Sequence, residues 1–262
     1  MHNTQYTIHT IPVLKISIIT VCYNNVDTLE DTIKSVQSQT YPNIEYIIVD
    51  GASTDGTSGI IDKYKNSIAK FVSEKDAGIY FAINKGLKMA TGDVIGLLHG
   101  DDFYSDNSII AKVAAAFDKS GADCVYGDLQ YVERNNPDKI TRSWVAGQYR
   151  TGLFLKGWMP PHPTFFIKKE CIQKYGDYNT TLRQASDYEF MLRMLHKNNL
   201  KVHYLPEVIV KMKTGGISNK TLTGRIKNNI EDRRAWKINN LRPGFLTLFI
   251  KPLGKIGQFF KR

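Results

Sequence analysis

The sequence predicts an α/β fold, with a Rossmann-like, mostly parallel sheet flanked by helices. Three observations carry this reading. Apolar, β-branched runs alternate with helix-like segments through residues 15–122. The run Val94-Ile95-Gly96-Leu97-Leu98 is continuously apolar or Gly, as a strand covered on both faces must be. Two neighbouring carboxylates, Asp101 and Asp102, follow just past its carboxyl end, where open α/β sheets bind ligands.

The elements follow in order. Lys15 to Tyr23 (KISIITVCY) reads as the first strand. From Thr28 to Gln39, apolar residues fall at Leu29, Ile33 and Val36, a helical spacing, with Asp27 placed as N-cap and Glu30 as its capping-box partner. Ile44 to Asp50 is the second strand. A Gly/Ser/Thr/Asp loop from Gly51 to Ser58 opens a helix near 58–66. Phe71-Val72 is a short third strand, Ile79 to Ala90 a helix, and Val94 to Leu98 the fourth strand. Ser105 or Asp106 can cap a helix at 107–119.

The pattern then changes. Cys124–Val132 and Ile140–Val145 flank Asn135-Asn136-Pro137-Asp138 and read as an antiparallel hairpin. Met159-Pro160-Pro161-His162-Pro163 is a rigid extended segment. Helices are expected at 168–175 and 187–197, a strand pair at 201–213, and a basic amphipathic helix at 221–239. The expected organisation is an N-terminal extension (1–14), two halves of one domain (15–122 and 123–220) and a basic helical tail (221–262).

Composition narrows the class. The 262 residues are 42% hydrophobic and 23% charged, ordinary for a globular chain. Cys22, Cys124 and Cys171 are too few and too scattered for a zinc site or a disulfide framework, which fits a reducing compartment. The polar stretch Met1–Pro12 has no apolar core of a signal peptide, and no run approaches the ~20 apolar residues of a membrane span. The formal charge of +10 is concentrated at one end. Eleven of the 35 Lys/Arg but only two of the 25 Asp/Glu lie from Lys220 to Arg262. Such a tail suits a polyanion, either nucleic acid or an anionic membrane.

Paired carboxylates such as Asp101 and Asp102 repel unless a cation or hydrogen-bond donors compensate. A hard divalent ion bound to substrate phosphates is one solution. The bland alternative leaves both solvated beside the capped helix at 107–119. The Gly51–Ser58 loop spaces its glycines like a phosphate-binding loop, but Thr57 stands where the Lys must be. No G-x-G-x-x-G follows either early strand, so the dinucleotide fingerprint also fails. Asp50, at a strand end, can accept from a nucleobase or ribose, or can serve a capping turn. The helix following Asp76-Ala77-Gly78 carries Asn84 and Lys85 about one turn in, where they can face phosphate. In Ser186-Asp187-Tyr188-Glu189-Phe190-Met191-Leu192, burial of the apolar residues leaves Asp187 in the first turn, facing out, as a general base or a cap.

Taken together, Ile18-Ile19-Thr20-Val21-Cys22-Tyr23-Asn24, Gln37-Ser38-Gln39-Thr40-Tyr41-Pro42, Asp50 to Thr57, Asp76-Ala77-Gly78-Ile79-Tyr80, Asn84-Lys85-Gly86, Ala90-Thr91-Gly92-Asp93 and Asp101-Asp102 resemble a family 2 glycosyltransferase. Pro161-His162-Pro163-Thr164-Phe165-Phe166 and Ala185 to Glu189 resemble its bacterial surface-polysaccharide branch. The resemblance spans about residues 15–215. It implies a GT-A fold with a smaller acceptor-side region. It also implies an inverting, hexosyltransferase-type transfer that uses Mn²⁺ or Mg²⁺. Residues 15–122 then bind the nucleotide sugar and 123–220 the acceptor.

Under the resemblance, Val21, Tyr23 and Asp50 fall at the base, and Thr20, Asn24, Asp76, Asn84, Lys85 and Asp101 also belong to the nucleotide site. Asp101 and Asp102 fall on the metal-binding motif, which here reads His99-Gly100-Asp101-Asp102, with His where many members have Asp. Asp187 falls on the catalytic base, and His162 lies on the acceptor side. The expected donor is a UDP-sugar and the expected acceptor a growing, lipid-linked glycan.

Two other functions compete. A nucleotidyltransferase needs a Gly-rich basic loop after the first strand, which Tyr23-Asn24-Asn25-Val26 does not supply. A nucleic-acid-binding protein would suit the basic tail, but no RNA-recognition or OB signature is present, so no nucleic acid is expected. The tail instead places the chain in the cytoplasm at the inner membrane face, bound to anionic lipid through 243–262. Phe245 to Ile250 and Phe259-Phe260 are apolar, bracketed by Pro243 and Pro252 and flanked by Lys251, Lys255, Lys261 and Arg262. The alternative is that this run packs on the body.

Overall fold

The computed structural model describes residues 13–215, 222–244 and 247. Strand β1 (Ile16–Cys22) lies among parallel neighbours, β2 (Ile44–Asp50) on one side and β4 (Val94–Leu97) on the other. β3 (Lys70–Ser73) extends the parallel set beyond β2. All of β1 is buried, because both faces of this half are covered. Ile19, Val21, Ile47 and Val49 join a core with Ile83 and Leu87 of helix α3 (Ile79–Met89). Ile16, Ile18, Tyr46 and Ile48 join the opposite core, with Ile33 of α1 (Leu29–Gln37) and Val113 of α4 (Ile109–Ser120). Alternating side chains along each strand thus feed two cores. Helix α2 (Thr57–Lys63) follows the loop after β2.

The second half continues the same sheet. β8 (Phe166–Lys168) pairs antiparallel with β4, and β6 (Cys124–Glu133) pairs antiparallel with β8. β9 (Val202–Lys213) runs parallel to β6 and carries β5 (Asp102–Tyr104) antiparallel at the far edge. β7 (Asn136–Trp144) forms a hairpin on β6. The described strands run in the order β3-β2-β1-β4-β8-β6-β9-β5. Helices α5 (Lys169–Tyr175), α6 (Ser186–Met191) and α7 (Leu222–Ile238) complete the set, with a wider π-type segment at Leu192–Lys197 continuing α6.

Several local expectations are corrected. Asp27 does not cap α1, because Thr28 occupies the N-cap and makes no side-chain cap bond. Glu30 is drawn away by Lys34, Lys63 and Tyr64, at 2.9, 2.9 and 2.6 Å. The hairpin turns at Arg134-Asn135, since Glu133 already faces Asn136 in register; Pro137 sits within β7, an edge strand where its missing N–H is tolerated. The expected strand pair at 201–213 is one long strand. Two short strands, β5 and β8, were not expected; three residues carry too little periodicity to announce themselves.

Helix α7 packs on the body. Trp236 is buried and its Nε1 donates to Tyr188 Oη (2.9 Å), while Asn239 Nδ2 donates to Glu189 (2.9 Å). Of the expected membrane segment 243–262, Pro243, Gly244 and Thr247 alone are described. Thr247 is buried and donates to the Leu155 carbonyl (2.6 Å), so the body holds the segment at this point. Phe245-Leu246, 248–250 and 251–262 lie outside the described residues. Among the described residues, no helix is long and apolar enough to cross a membrane.

Gly92 shows how closely the first half is packed. A Cβ there would lie 2.7 Å from Lys15 O, Ser17 N and Ser17 Oγ. Backbone atoms cannot swing away, so Gly92→Ala is expected to cost about 1–3 kcal/mol in urea unfolding. Gly59, in α2, has nothing within 4 Å of the corresponding position. Gly59→Ala is therefore expected to raise stability by about 0.4–1 kcal/mol in the same assay.

Candidate active site

The carboxyl ends of β1, β2 and β4 open onto one cleft. Tyr23, directly after β1, is 57% exposed, and Gly51 leaves room for its ring: a Cβ there would sit 3.2 Å from Tyr23 Cδ2. Asn24 adopts a left-handed backbone (φ 53°), and its Oδ1 accepts from Thr54 N, fixing the loop beside it. Asp50, at the end of β2, is buried and accepts from Ser53 N (3.1 Å), Ser53 Oγ (2.5 Å) and Ser73 Oγ (2.6 Å). Val21 is buried in the core beneath. Thr20 is fully buried against Tyr46 Oη at 3.0 Å, so it supports the cleft without facing it.

Asp76 and Lys85 pair across the entry to α3 at 2.9 Å, with Glu74 also on Lys85 at 2.6 Å. Asp76 Oδ2 is buried and has no partner. Asn84 does not reach outward: its amide donates to Tyr178 O (2.8 Å) and accepts from Tyr178 N (3.0 Å), tying α3 to the second half of the chain.

After β4 the chain turns through His99 to Asp102, closed by Asp102 N donating to His99 O at 3.0 Å. Gly100 is fixed beneath β1: its N–H donates to Val21 O (3.1 Å) and its carbonyl accepts from Thr28 Oγ1 (2.8 Å). The two neighbouring carboxylates then part. Asp101 is half-buried, and among the described residues its carboxylate makes no hydrogen bond or ion pair. Asp102 is fully buried, with both oxygens sealed and unpartnered. Burial, and secondarily Asp101, holds the Asp102 carboxyl well above its usual range.

Across the cleft stands α6. Glu231 of α7 accepts from the N–H groups of Arg183 (3.1 Å), Gln184 (2.7 Å) and Ala185 (3.0 Å), anchoring the chain that enters it. Asp187 lies in the first turn, half-exposed, with Phe190 and Met191 buried behind it. Its Oδ1 accepts from Tyr188 N (2.7 Å) and from Tyr80 Oη (3.4 Å). Tyr178 stacks on Phe190 (4.1 Å between centroids) and on Tyr80 (6.0 Å), and its hydroxyl meets His162 Nε2 at 2.9 Å. His162 is buried and sits 5.9 Å, ring to ring, from His99. Burial pushes both imidazoles down to about 4, helped at His99 by His162, so both are neutral at physiological pH.

The structure therefore gathers Tyr23, Asn24 and Asp50 at one end of the cleft, Asp76 and Lys85 beside α3, and Asp101, His162 and Asp187 around the other end. It does not present the side chains of Thr20, Val21, Asn84 or Asp102 to that cleft. Tyr80, Tyr178, Ser73 and Glu231 were not anticipated. Tyr80 lies within a motif quoted above, but its partner is 107 residues away and no local spacing signals that contact.

The model for "Glycosyl transferase family 2" matches residues 17–184. The chain belongs to this family. An uncharacterised glycosyltransferase of Mycobacterium tuberculosis is 31% identical over 188 residues, 68% of each chain. A PGL/p-HBAD biosynthesis glycosyltransferase of Mycobacterium bovis is 28% identical over 208 residues, 78% of each chain. In structure, this family 2 chain resembles residues 1–349 of Staphylococcus aureus TarS in complex with UDP-GlcNAc, at a TM-score of 0.68 and 17% identity over 90% of this chain and 69% of that one. It spans 42% of a longer TarS structure. It also resembles a mannosyltransferase of Pyrobaculum calidifontis in complex with GDP-Man and Mn²⁺, at a TM-score of 0.62 and 20% identity over 91% and 69% of the two chains. These likenesses establish the fold as GT-A and the chain as a glycosyltransferase.

A divalent metal fits this site in a reduced form. Among the described residues no three His, Cys, Asp or Glu side chains converge as a metal cage. One unpaired carboxylate, Asp101, is nevertheless available in the cleft, and a nucleotide-bound ion often needs only one or two carboxylates besides the phosphates. The sealed oxygens of Asp102 do not fit this role.

The buried acid has a pH signature. Folded Asp102 keeps its proton where the unfolded chain has lost it, so its contribution to stability falls as pH rises above the ordinary Asp range. Asp102→Asn lacks this slope. Its melting temperature is expected to equal or trail wild type near pH 4 and to gain on it as pH rises above the ordinary Asp range; a constant difference would contradict the assignment.

Proposed function

We propose that the chain transfers a hexose from a UDP-sugar to a hydroxyl of a growing, lipid-linked glycan, with inversion at the anomeric carbon. The observation that carries this is the position of Asp187: a half-exposed carboxylate on a braced helix turn, across the cleft from Asp101 and from the nucleotide end. The complexes of related folds with UDP-GlcNAc and GDP-Man support a nucleoside-diphosphate donor.

In this reading the nucleobase stacks on the exposed Tyr23 ring, which offers a flat apolar face. Asp50 reads the edge of the base. Its acceptor sites are taken by Ser53 and Ser73, so an incoming base N–H exchanges with one of those hydroxyls. The sugar lies toward Asp76 and Lys85, and the diphosphate toward Asp101. The acceptor enters on the His162 and Tyr178 side.

Asp187 takes the proton of the acceptor hydroxyl as its oxygen bonds to the anomeric carbon. The bond from that carbon to the diphosphate oxygen breaks on the opposite face, which inverts the centre and requires no covalent enzyme intermediate. A positioned base contributes about 10²–10⁴-fold. A bound Mn²⁺ or Mg²⁺, held by Asp101 and the diphosphate, would supply Lewis-acid neutralisation of the leaving group. Tyr80 and the Tyr188 N–H hold Asp187 in its accepting orientation.

Asp187→Asn keeps the shape but cannot accept the proton. It is expected to bind UDP like wild type in calorimetry, with kcat lower by about 100-fold or more. Unchanged kcat at saturating donor would overturn the base assignment, and tighter binding of GDP than UDP would overturn the choice of base.

The proposal includes docking on anionic lipid through 243–262, which would confine enzyme and acceptor to one surface. Full-length protein is expected to co-sediment with anionic vesicles more than a chain ending at Asn240. Equal binding, or none, would retire this part of the reading.

A further inference from the structure

The turn that presents Asp101 also presents His99, and the function argued above gives His99 no work. Its imidazole makes no hydrogen bond among the described residues. Nδ1 is buried without a partner, whereas Nε2 is not among the sealed atoms. The ring is held by its tilted pairing with His162, 5.9 Å between centroids. Gly100, between His99 and Asp101, is held on both sides, its N–H donating to Val21 O and its carbonyl accepting from Thr28 Oγ1. Two unpaired donors of different chemistry, a nitrogen and a carboxylate, therefore leave a rigid turn two residues apart.

We propose that His99, through Nε2, and Asp101, through its carboxylate, jointly hold the divalent cation that accompanies the donor diphosphate, and that this pair selects Mn²⁺ over Mg²⁺. The proposal rests on the nucleoside-diphosphate reading given above. Asp102 is sealed and supplies no second oxygen, so a nitrogen completes the protein's share. Phosphate oxygens and water fill the remaining positions. Mg²⁺ demands oxygen ligands in near-ideal octahedral geometry, whereas first-row transition ions accept imidazole readily. Replacing an oxygen donor by nitrogen therefore penalises Mg²⁺ more than Mn²⁺. Asp187, held by the Tyr188 N–H and Tyr80 Oη, is not one of the two ligands.

The test uses the full chain with UDP and Mn²⁺. UDP binding is first measured by calorimetry in EDTA, with GDP as the second probe. If neither nucleotide binds with EDTA or with Mn²⁺, the donor reading itself fails and this proposal falls with it. If one binds, its Mn²⁺ complex is examined by electron spin echo modulation. Wild type is expected to show coupling to a directly bound imidazole nitrogen; its absence from a formed complex overturns the proposal, whatever the variants do. His99→Ala is expected to lose that coupling. His99→Asp is expected to bind Mn²⁺ without it and to narrow the Mn²⁺-to-Mg²⁺ affinity ratio by about tenfold. A ratio unchanged in His99→Asp would also overturn the proposal.

Discussion

The cleft depends on how the turn from His99 to Asp102 is seated under the end of β1. A parallel strand leaves the sheet with its last carbonyl and N–H groups unpaired, and these need partners where the chain is buried. Val21 O finds the Gly100 N–H, and the Gly100 carbonyl finds the Thr28 hydroxyl. The turn is thereby tied to β1 and to the start of α1 at once. A side chain at position 100 would collide with Cys22 and Asn25, so glycine is required by contact. Once this backbone is fixed, Asp101 opens to the cleft while Asp102 enters β5 and the core. The same constraint separates two chemically identical neighbours into a half-buried carboxylate and a fully sealed one.

A second support lies opposite. Asp187 belongs to a six-residue helix continued only by the π-type segment at Leu192–Lys197, a stretch still too short to stand on its own hydrogen bonds. It is held instead from three sides. Glu231 receives the entering N–H groups, the Tyr80–Tyr178–Phe190 stack fills the space beneath, and Arg193 bridges Glu189 (2.9 Å) to the carbonyls of Gly176 (2.7 Å) and Asp177 (2.6 Å). The Arg193 bridge also steadies the loop that delivers Tyr178. Orientation of the carboxylate is therefore a property of packing among distant segments, and a loop alone would not provide it.

This explains what the sequence made legible. The parallel strands and their helices, apart from the end of α2, are read within a residue or two, because burial on both faces imposes continuous apolar runs and a helix imposes its own period. Asp50, Asp101 and Asp187 are placed at element ends by the same local logic. What escaped is what local spacing cannot encode. β5 and β8 are too short to show alternation, and their pairing is set by β9 and β4. Adjacency suggested that Asp101 and Asp102 act together, yet strand geometry turns neighbours apart. Thr20 and Asn84 lie inside motif stretches but serve Tyr46 and the Tyr178 backbone. Glu231 and Tyr80 acquire their roles solely through contacts dozens of residues away.

The family match ends at residue 184, three positions before Asp187. The ends of β1, β2 and β4 thus lie within the matched segment, while α6, the anchoring Glu231 and the clamp from Trp236 and Asn239 lie beyond it. A lineage can keep those strand ends and alter α7 alone. Such drift would leave Tyr23, Asp50 and Asp101 where they are and re-aim the Asp187 carboxylate. Selection can therefore act on the two walls of one site through separate stretches of a single gene.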